Sequence, residues 1–299
     1  MSNSDGFTGR VGALVQAMPL RAAGFIVTLY GDAVVPRGGE IWIGTIIETC
    51  ALVGISETLV RTAVSRLVAA GQLEGWRRGR RSFYRLSERL QAESEAASRL
   101  IYGPPEPWRW RFVHLPETGA DSLMALLERA GFARLRPHLA VGPARGTLPK
   151  GVLVFDADPV AGEALLADFA AQAWDLAPHA AAYQTLLAQF GPLDGVPPDD
   201  GAAALTARLL LVHAWRHALL RDPRLPDAAL PADWPGHAAR ALFHRLYAAL
   251  SPVADSQIGT RFEGAQGPLP VSTPHLSARL AVENSEAGQG RYPAAQRVG

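Results

Sequence analysis

The sequence predicts an α+β protein with three domains: an N-terminal winged helix-turn-helix, a central ferredoxin-like domain (βαββα) and a C-terminal helical domain. A helix-periodic segment at 56–70 is followed by an arginine-rich segment that alternates like a hairpin. Residues 108–174 show the patterns of a strand (108–115), a helix (119–130), a strand interrupted by Pro137 (132–141), a short buried strand (152–155) and a helix (163–174). Residues 178–250 hold helical patterns separated by proline-containing turns. At 299 residues, 48% of them hydrophobic, the chain is long enough for several cores.

Two helices are predicted before the arginine-rich segment. The first covers residues 19–30, and the second, which is rich in β-branched side chains, covers residues 40–53. A tight turn follows, and Ser56 is a suitable N-cap for a third helix. Helix, helix, turn, helix and hairpin is the element order of a winged helix-turn-helix, here residues 19–87. We expect residues 1–18 to be a loosely ordered lead.

The third helix, residues 56–70, has two distinct faces. Its apolar residues recur at helical spacing and predict one buried stripe: Leu59, Val60, Ala63, Val64, Leu67 and Val68. The other face carries side chains that suit base edges and phosphates: Ser56, Glu57, Thr58, Arg61, Thr62, Ser65 and Arg66. Because the start of such a helix enters the major groove, Arg61 is the predicted bidentate guanine contact. Glu57 either accepts from a cytosine amino group or offsets the helix dipole. Ser65 and Arg66 are expected to contact phosphates.

A hairpin predicted at 73–86 forms the wing. Its turn contains Gly79, flanked by four arginines that are expected to straddle a phosphate backbone or probe the minor groove: Arg77, Arg78, Arg80 and Arg81. Residues 56–86 contain seven arginines and two glutamates in a chain whose net charge is only +1, so any nucleic-acid binding must come from this local patch. The alternative is that these arginines are ordinary solvated surface residues. The hairpin aromatics, Trp76, Phe83 and Tyr84, either pack on the third helix or stack on single strands.

The rest of the chain is divided by proline-rich turns. A linker with a helix is predicted at 88–107, and a ferredoxin-like central domain at 108–176 whose last strand is not visible in the sequence. A helical domain is predicted at 177–252. Residues 253–299 are rich in Gly, Pro, Ser, Ala and Gln and are expected to be a disordered tail.

Other chemistry has weak support in the sequence. Cys50 is the single cysteine, and neither a phosphate-binding loop nor a catalytic triad is recognisable, so no catalytic residue and no cofactor is predicted. His213 and His217 have the i, i+4 spacing of two metal ligands but lack an obvious third, and no metal site is predicted. Asp156 and Asp158 either bind a cation or form a turn that caps the next helix. Without a secretory signal or an apolar run of membrane length, we expect a cytoplasmic protein with no membrane partner.

Three stretches of the chain resemble the PaaX family of transcriptional repressors. The first is residues 26–32 with the third helix and the wing up to Ser87, and the second is residues 110–116 with 131–135 and 141–143. The third comprises residues 211–216, 222–226 and 230–236. They occur in the family's order and span about residues 20–250. The tail has no recognisable counterpart.

The resemblance implies a homodimer that binds a double-stranded DNA operator and represses genes for phenylacetate breakdown. It also implies release by phenylacetyl-CoA, although relatives can respond to other aryl-CoA thioesters or to none. An acyl-CoA site needs cations for phosphates and an apolar slot for the aryl group. The residues with that chemistry, each equally plausible as a structural residue, are Arg109, Trp110, Arg111, Arg134, Arg136, Trp215, Arg216 and Trp234.

Two other functions are considered. The central domain also resembles a ferredoxin-like nuclease subunit of CRISPR adaptation, which would need a metal-binding carboxylate at the end of its first strand. Residues 114–117 offer Glu117 in place of the usual Asp, so we expect no enzyme and a dimerisation role through Trp108, Trp110 and the strand edge. The other alternative is a DNA-binding regulator that needs no ligand.

Overall fold

The computed structural model describes residues 6–105 and 107–286, with only the helical backbone for 281–286, and has the α+β composition that the sequence predicts. These residues divide into two compact units. Of the described residues, unit 1 contains 6–104, 188–215 and 240–286, and unit 2 contains 105, 107–187 and 216–239. Within the described ranges, no helix combines the length and the apolar character needed to cross a membrane.

The N-terminal part of unit 1 contains five helices and a small sheet. The helices are α1 (Phe7–Ala17), α2 (Ala22–Leu29), α3 (Ile43–Ala51), α4 (Glu57–Ala69) and α5 (Glu88–Tyr102). The strands are β1 (Glu40–Trp42), β2 (Leu73–Arg78) and β3 (Arg81–Leu86), and they form an antiparallel sheet in the order β1-β3-β2. Helices α2, α3 and α4 pack on one another, and the β2–β3 hairpin follows α4 directly.

Two expectations for this part are wrong. Residues 7–17 of the predicted loose lead form α1, because Phe7, Val11 and Leu14 at helical spacing are buried. The predicted helix 40–53 begins with strand β1, because the open edge of β3 offers backbone partners to these three residues. The β-branched residues in this segment had already weakened the helical prediction.

The C-terminal part of the chain contains the helices α8 (Ala177–Phe190), α9 (Gly201–Leu219), α10 (Pro235–Arg261) and α11 (Pro274–Glu286). Two short strands, β8 (Glu263–Gly264) and β9 (Gly267–Pro268), form a hairpin after α10. The prediction of a disordered tail from residue 253 is therefore wrong up to residue 286, and residues 287–299 lie outside the described residues. The composition gives the wrong prediction because a few buried apolar residues are enough to fold this segment, among them Phe262, Leu269 and Leu276.

Buried charges also hold this segment in unit 1. We name the arginine–aspartate cluster by its five members: Asp32, Arg37, Arg208, Asp255 and Arg279. Arg208 Nε donates to Asp32 Oδ2 over 3.0 Å, and Arg208 and Arg37 both donate to Asp255, over 2.5 and 2.6 Å. Arg279 donates to the backbone oxygens of Gly31 and Asp32 over 2.9 and 3.1 Å. Burial alone would raise the pKa of the Asp32 carboxyl, but the three arginines outweigh it and lower that pKa.

Unit 2 contains a four-stranded antiparallel sheet. Its elements are β4 (Trp110–His114), α6 (Ala120–Arg129), β5 (Ala133–Arg136), β6 (Leu139–Pro143), β7 (Leu153–Ala157) and α7 (Leu166–Ala173). The sheet order is β5-β6-β4-β7, and a core that includes Val113, Met124 and Phe132 packs between the sheet and α6.

The predicted order βαββα is wrong in one place. The single strand predicted at 132–141 is a hairpin of β5 and β6, because the chain turns at Pro137-His138, where proline had broken the strand pattern. The observed order is thus βαβββα. Strand β7 lies at the sheet edge and exposes Leu153 and Phe155, whereas the sequence predicted a buried strand there.

Candidate nucleic-acid interface

Helix α4 is anchored by its N-cap and by part of the predicted apolar stripe. The Ser56 hydroxyl accepts from the Leu59 backbone N–H over 3.4 Å, as the sequence predicts for an N-cap. Val60, Ala63, Val64 and Leu67 are buried. The stripe is narrower than predicted, because Leu59 and Val68 at its margins are 57% and 39% exposed.

The polar face of α4 is exposed along its whole length. All seven predicted residues of this face are solvent-exposed: Ser56, Glu57, Thr58, Arg61, Thr62, Ser65 and Arg66. Arg61 Nε donates to Glu57 Oε1 over 2.8 Å, and both side chains are 58% exposed. Within the described part of the chain, the Arg66 guanidinium forms no hydrogen bond or ion pair. Since exposed ion pairs of this kind are weak, Arg61 can exchange Glu57 for another acceptor at little cost.

The hairpin after α4 is built from strands that pair over their full length. Leu73↔Leu86 and Arg78↔Arg81 mark the two ends of the register. The turn is made by Gly79, whose φ of +61° lies in the left-handed region that favours glycine. Gly75 is also required, because a Cβ there would lie 2.6 Å from the Tyr84 ring on the opposite strand. The glycines thus allow a tight hairpin with its arginines at the tip.

A groove of about 430 Å³ lies between α4 and the hairpin. Arg61 and Ser65 line it from the helix, and Arg77 and Ser82 line it from the hairpin. Of the predicted residues, Arg61, Ser65 and Arg77 line this groove, whereas Thr62 and Arg66 line a separate one beside α1 and α2. All the predicted helix and wing residues are exposed. Guanidinium groups and hydroxyls on both sides of a groove can donate to phosphates and to base edges.

The four wing arginines are all exposed but differ in their partners. Among the described residues, the guanidinium groups of Arg77 and Arg80 form no hydrogen bond or ion pair. Arg78 donates to the Ala265 backbone oxygen, and Arg81 forms an ion pair with Glu263. These two partners lie in the segment that was expected to be disordered, and no signal in the sequence pointed to them.

The aromatic residues of the hairpin belong mainly to its packing. Phe83 is buried and stacks on Trp76 with ring centroids 6.3 Å apart, which supports the packing alternative over a platform for single strands. Trp42 on β1 was missed in the sequence, where it was placed in a helix. Its ring lies 4.7 Å from the Arg81 guanidinium carbon and thereby helps to orient that arginine.

The residues proposed for an acyl-CoA site are dispersed and mostly engaged. Three of the arginines form ion pairs within unit 2: Arg109 with Asp158, Arg111 with Asp156, and Arg134 with Glu128 and Asp121. Arg136 donates to the Leu135 backbone oxygen. Trp110 and Trp234 are buried in unit 2, whereas Trp215 and Arg216 adjoin in α9, with Trp215 buried in unit 1 against Phe243. Their role in binding an effector stays a prediction.

Asp156, which lies within β7, and Asp158, which directly follows it, both have arginine partners. The hydrogen bonds from Arg111 to Asp156, of 2.6 and 2.8 Å, lower the pKa of the Asp156 carboxyl.

His213 Nδ1 lies 2.9 Å from the Thr28 hydroxyl. The described ranges contain no group of three or more His, Cys, Asp or Glu side chains suited to a metal ion. Burial raises the pKa of the Cys50 thiol to about 12.

Comparison with known proteins adds family evidence to this geometry. The family model described as PaaX-like protein matches residues 21–90, and the model described as PaaX-like protein C-terminal domain matches residues 174–259. The chain is 33% identical over 283 residues to the transcriptional repressor PaaX of Escherichia coli, covering 86% of this chain and 89% of the relative. A solved structure of an uncharacterized protein from Mycobacterium tuberculosis is 28% identical and covers 72% of this chain and 90% of its own, with a TM-score of 0.46. The sequence identity and the two family models together show that the chain belongs to the PaaX family of transcriptional repressors.

Proposed function

We propose that this chain is a repressor of a phenylacetate-type catabolic operon and that residues 19–87 form its winged helix-turn-helix DNA-binding domain. The name of the Escherichia coli relative supports repression, and the resemblance of the sequence to the family supports the class of genes. The finer assignment depends on the geometry of α4 and the hairpin. No enzymatic step is part of this proposal.

One observation supports the DNA-binding assignment: Arg61 and Ser65 of α4 and Arg77 of the wing line a single groove, and the other predicted residues of α4 and the wing are exposed. In the proposed complex, α4 enters the major groove with Arg61 at a guanine, and Glu57 moves from pairing with Arg61 to a base or the helix terminus. Arg66, Arg77 and Arg80 contact phosphates. The four other polar residues of α4 contribute neutral donors to the same face.

The central domain is proposed to be ferredoxin-like and to hold a homodimer together. Strand β6 lies between β4 and β5, which α6 connects, and this inserted strand is the feature of a split βαβ unit. The exposed Leu153 and Phe155 on edge strand β7 support a dimer through this edge. Trp108 and Trp110, which we had considered for this contact, form an edge-to-face pair with ring centroids 5.4 Å apart.

The proposed effector is an aryl-CoA thioester such as phenylacetyl-CoA. A ligand of this kind would release DNA only if it bound the DNA-free state more tightly than the DNA-bound state. A dimer reads two half-sites separated by whole helical turns, so a small change in the spacing of its two helices is enough to weaken binding.

The test begins with selection of duplexes from a random-sequence pool by the full-length protein, followed by gel shift. We expect enrichment of paired half-sites spaced by one or more helical turns. Arg61→Ala should lose sequence preference, whereas Arg80→Ala should weaken binding to every duplex alike. Failure to enrich any sequence would contradict the assignment.

The same bound duplex discriminates the alternatives. Release by phenylacetyl-CoA but not by CoA alone would support the proposed effector class. Continued binding at saturating thioester would instead favour a regulator without that ligand. Cleavage of the duplex that depends on added divalent metal would favour a nuclease.

A further inference from the structure

A hairpin from the C-terminal part of unit 1 lies against the wing. We call residues 263–268, which contain β8 and β9, the C-terminal hairpin. It packs on β1, and Gly264 approaches so closely that a Cβ there would lie 3.2 Å from the Glu40 backbone oxygen. From this position Glu263 forms an ion pair with Arg81, and the Ala265 backbone oxygen accepts from Arg78.

The position of this hairpin does not depend on its contacts with the wing. The Glu263 backbone N–H donates to the Thr45 hydroxyl over 3.4 Å, and the Leu269 N–H donates to the Phe262 oxygen over 2.9 Å. Just beyond it, the Pro270 oxygen accepts from Arg37 Nε over 2.9 Å, and Arg37 itself belongs to the buried arginine–aspartate cluster. Removal of the Glu263 charge should therefore leave the hairpin in place.

The partners that the hairpin offers are chemical substitutes for a DNA backbone. A guanidinium group recognises a carboxylate and a phosphate through the same forked N–H donors. The Arg81 and Glu263 side chains are 51% and 40% exposed, so their pairing is weak and solvent reaches it. By contrast, Arg77 and Arg80 at the same tip have no protein partner within the described residues.

We propose that Glu263 competes with a DNA phosphate for Arg81, so that the C-terminal hairpin limits how many wing arginines contact the backbone. This inference rests on the proposed DNA-binding function and adds a regulation of that surface. The competing ligand is the phosphodiester backbone of a duplex, which any base sequence provides. A change in the hairpin would therefore alter affinity for all DNA and leave sequence preference unchanged.

The test uses the full chain, a labelled duplex of mixed sequence and binding isotherms over a range of salt concentrations. Glu263→Gln removes the charge and keeps the shape of the side chain. We expect its affinity to rise about two- to fivefold, which is the range for loss of one exposed ion pair. The slope of log affinity against log salt should steepen by about 0.9 for the additional phosphate contact.

A charge-matched control separates this effect from the general change in net charge. Glu48→Gln also removes one exposed carboxylate from unit 1, but Glu48 faces Arg261, at 3.7 Å, and not the wing. It should leave the salt slope unchanged. A steeper slope of equal size in both variants would overturn the proposal.

A double-mutant cycle makes the competition specific to Arg81. In the Arg81→Gln background the gain from Glu263→Gln should disappear, because the competed cation is absent. Equal melting temperatures would confirm that all variants are folded. Weaker DNA binding by Glu263→Gln would show that the hairpin supports the wing and would overturn the proposal. Loss of DNA binding by every protein, wild type included, would instead reject the proposed function and this inference with it.

Discussion

Arginine side chains occur in opposite surroundings in two regions of unit 1. They are exposed on the surface formed by α4 and the wing, and they are buried in the arginine–aspartate cluster. Arg66 and Arg80 are exposed and form no ion pair within the described ranges, whereas Arg37 and Arg208 have fully buried side chains and share Asp255. An exposed cation contributes little to folding and remains available to a polyanion. A buried cation needs its carboxylate for the fold to be stable. Burial and partners, and not residue type, therefore distinguish a binding arginine from a structural one.

The largest expected effect comes from the centre of the cluster. Arg208→Met would leave Asp32 and Asp255 without their shared cation in a buried site, and should lower the free energy of unfolding by about 3–5 kcal/mol. Urea denaturation followed by circular dichroism measures this change. Adding Asp32→Asn should restore part of the stability, because it removes a buried charge that has lost its nearest cation. An unchanged urea midpoint in Arg208→Met would contradict the structural role of the cluster.

A buried histidine differs from a buried arginine because it can lose its charge, so its effect on stability depends on pH. Burial, with a smaller contribution from Arg240, lowers the pKa of His244 to about 4. The imidazole of the unfolded chain binds a proton at a higher pH than the buried imidazole of the folded chain. The contribution of neutral His244 to the free energy of unfolding is therefore complete above about pH 6.5 and is lost as the pH falls towards 4. Allowing for partial solvent access, the loss amounts to about 2 kcal/mol.

The measurement is urea denaturation of wild type and His244→Gln at a series of pH values. The difference between their free energies of unfolding should change between pH 6.5 and 4 and be constant above that window. Subtracting the variant removes the contribution of other titrating groups. A difference that does not change with pH would mean that His244 keeps its ordinary pKa in the folded protein.

On the exposed surface, Arg61→Ala tests base recognition. The variant should lose about 1–3 kcal/mol of discrimination at one base pair of the selected duplex. Its stability should change by less than about 0.5 kcal/mol, since the Arg61–Glu57 pair is exposed. Gel shifts with single-base variants of the duplex measure the discrimination, and Arg129→Ala, which removes an exposed arginine outside the proposed surface, serves as the control. Unchanged discrimination would remove Arg61 from the proposed base contacts.

The sequence predicted the elements and exposed residues of the proposed binding surface better than the buried cluster, for a physical reason. Helical periodicity, the N-cap and the arginine count between residues 56 and 86 are local signals, and α4 and the hairpin lie within two residues of the predicted ends. The cluster joins residues far apart in the chain: Asp32 and Arg208 are separated by 176 positions. No periodicity reports such a pairing, and in the sequence Asp32 simply follows the helix predicted at 19–30.

The segment after residue 253 shows that composition, like periodicity, does not report contacts between residues far apart in the chain. Its glycines and prolines are typical of disorder, but they also suit a tight hairpin, and Gly264 allows a close approach to β1. Arg279 and five buried apolar residues hold the segment, which is too few for an average over its composition to detect: Ala254, Ile258, Phe262, Leu269 and Leu276. The prediction of a single strand at 132–141 is wrong for a different reason. Pro137 lies in the turn between two strands, whereas the prediction treats it as an interruption within one strand.

The smallest expected effect is that of Arg80→Ala, at the tip of the wing. Arg80 is exposed and has no partner in the described part of the chain, so its loss should leave the free energy of unfolding unchanged. If it contacts one phosphate, the slope of log affinity against log salt should become shallower by about 0.9, equally for selected and unrelated duplexes. Arg129→Ala, at the end of α6 in unit 2, removes an equally exposed cation outside the proposed surface and should leave the slope unchanged. Equal slopes for Arg80→Ala and wild type would show that exposure and a free guanidinium are insufficient, and that the wing contacts DNA through other residues.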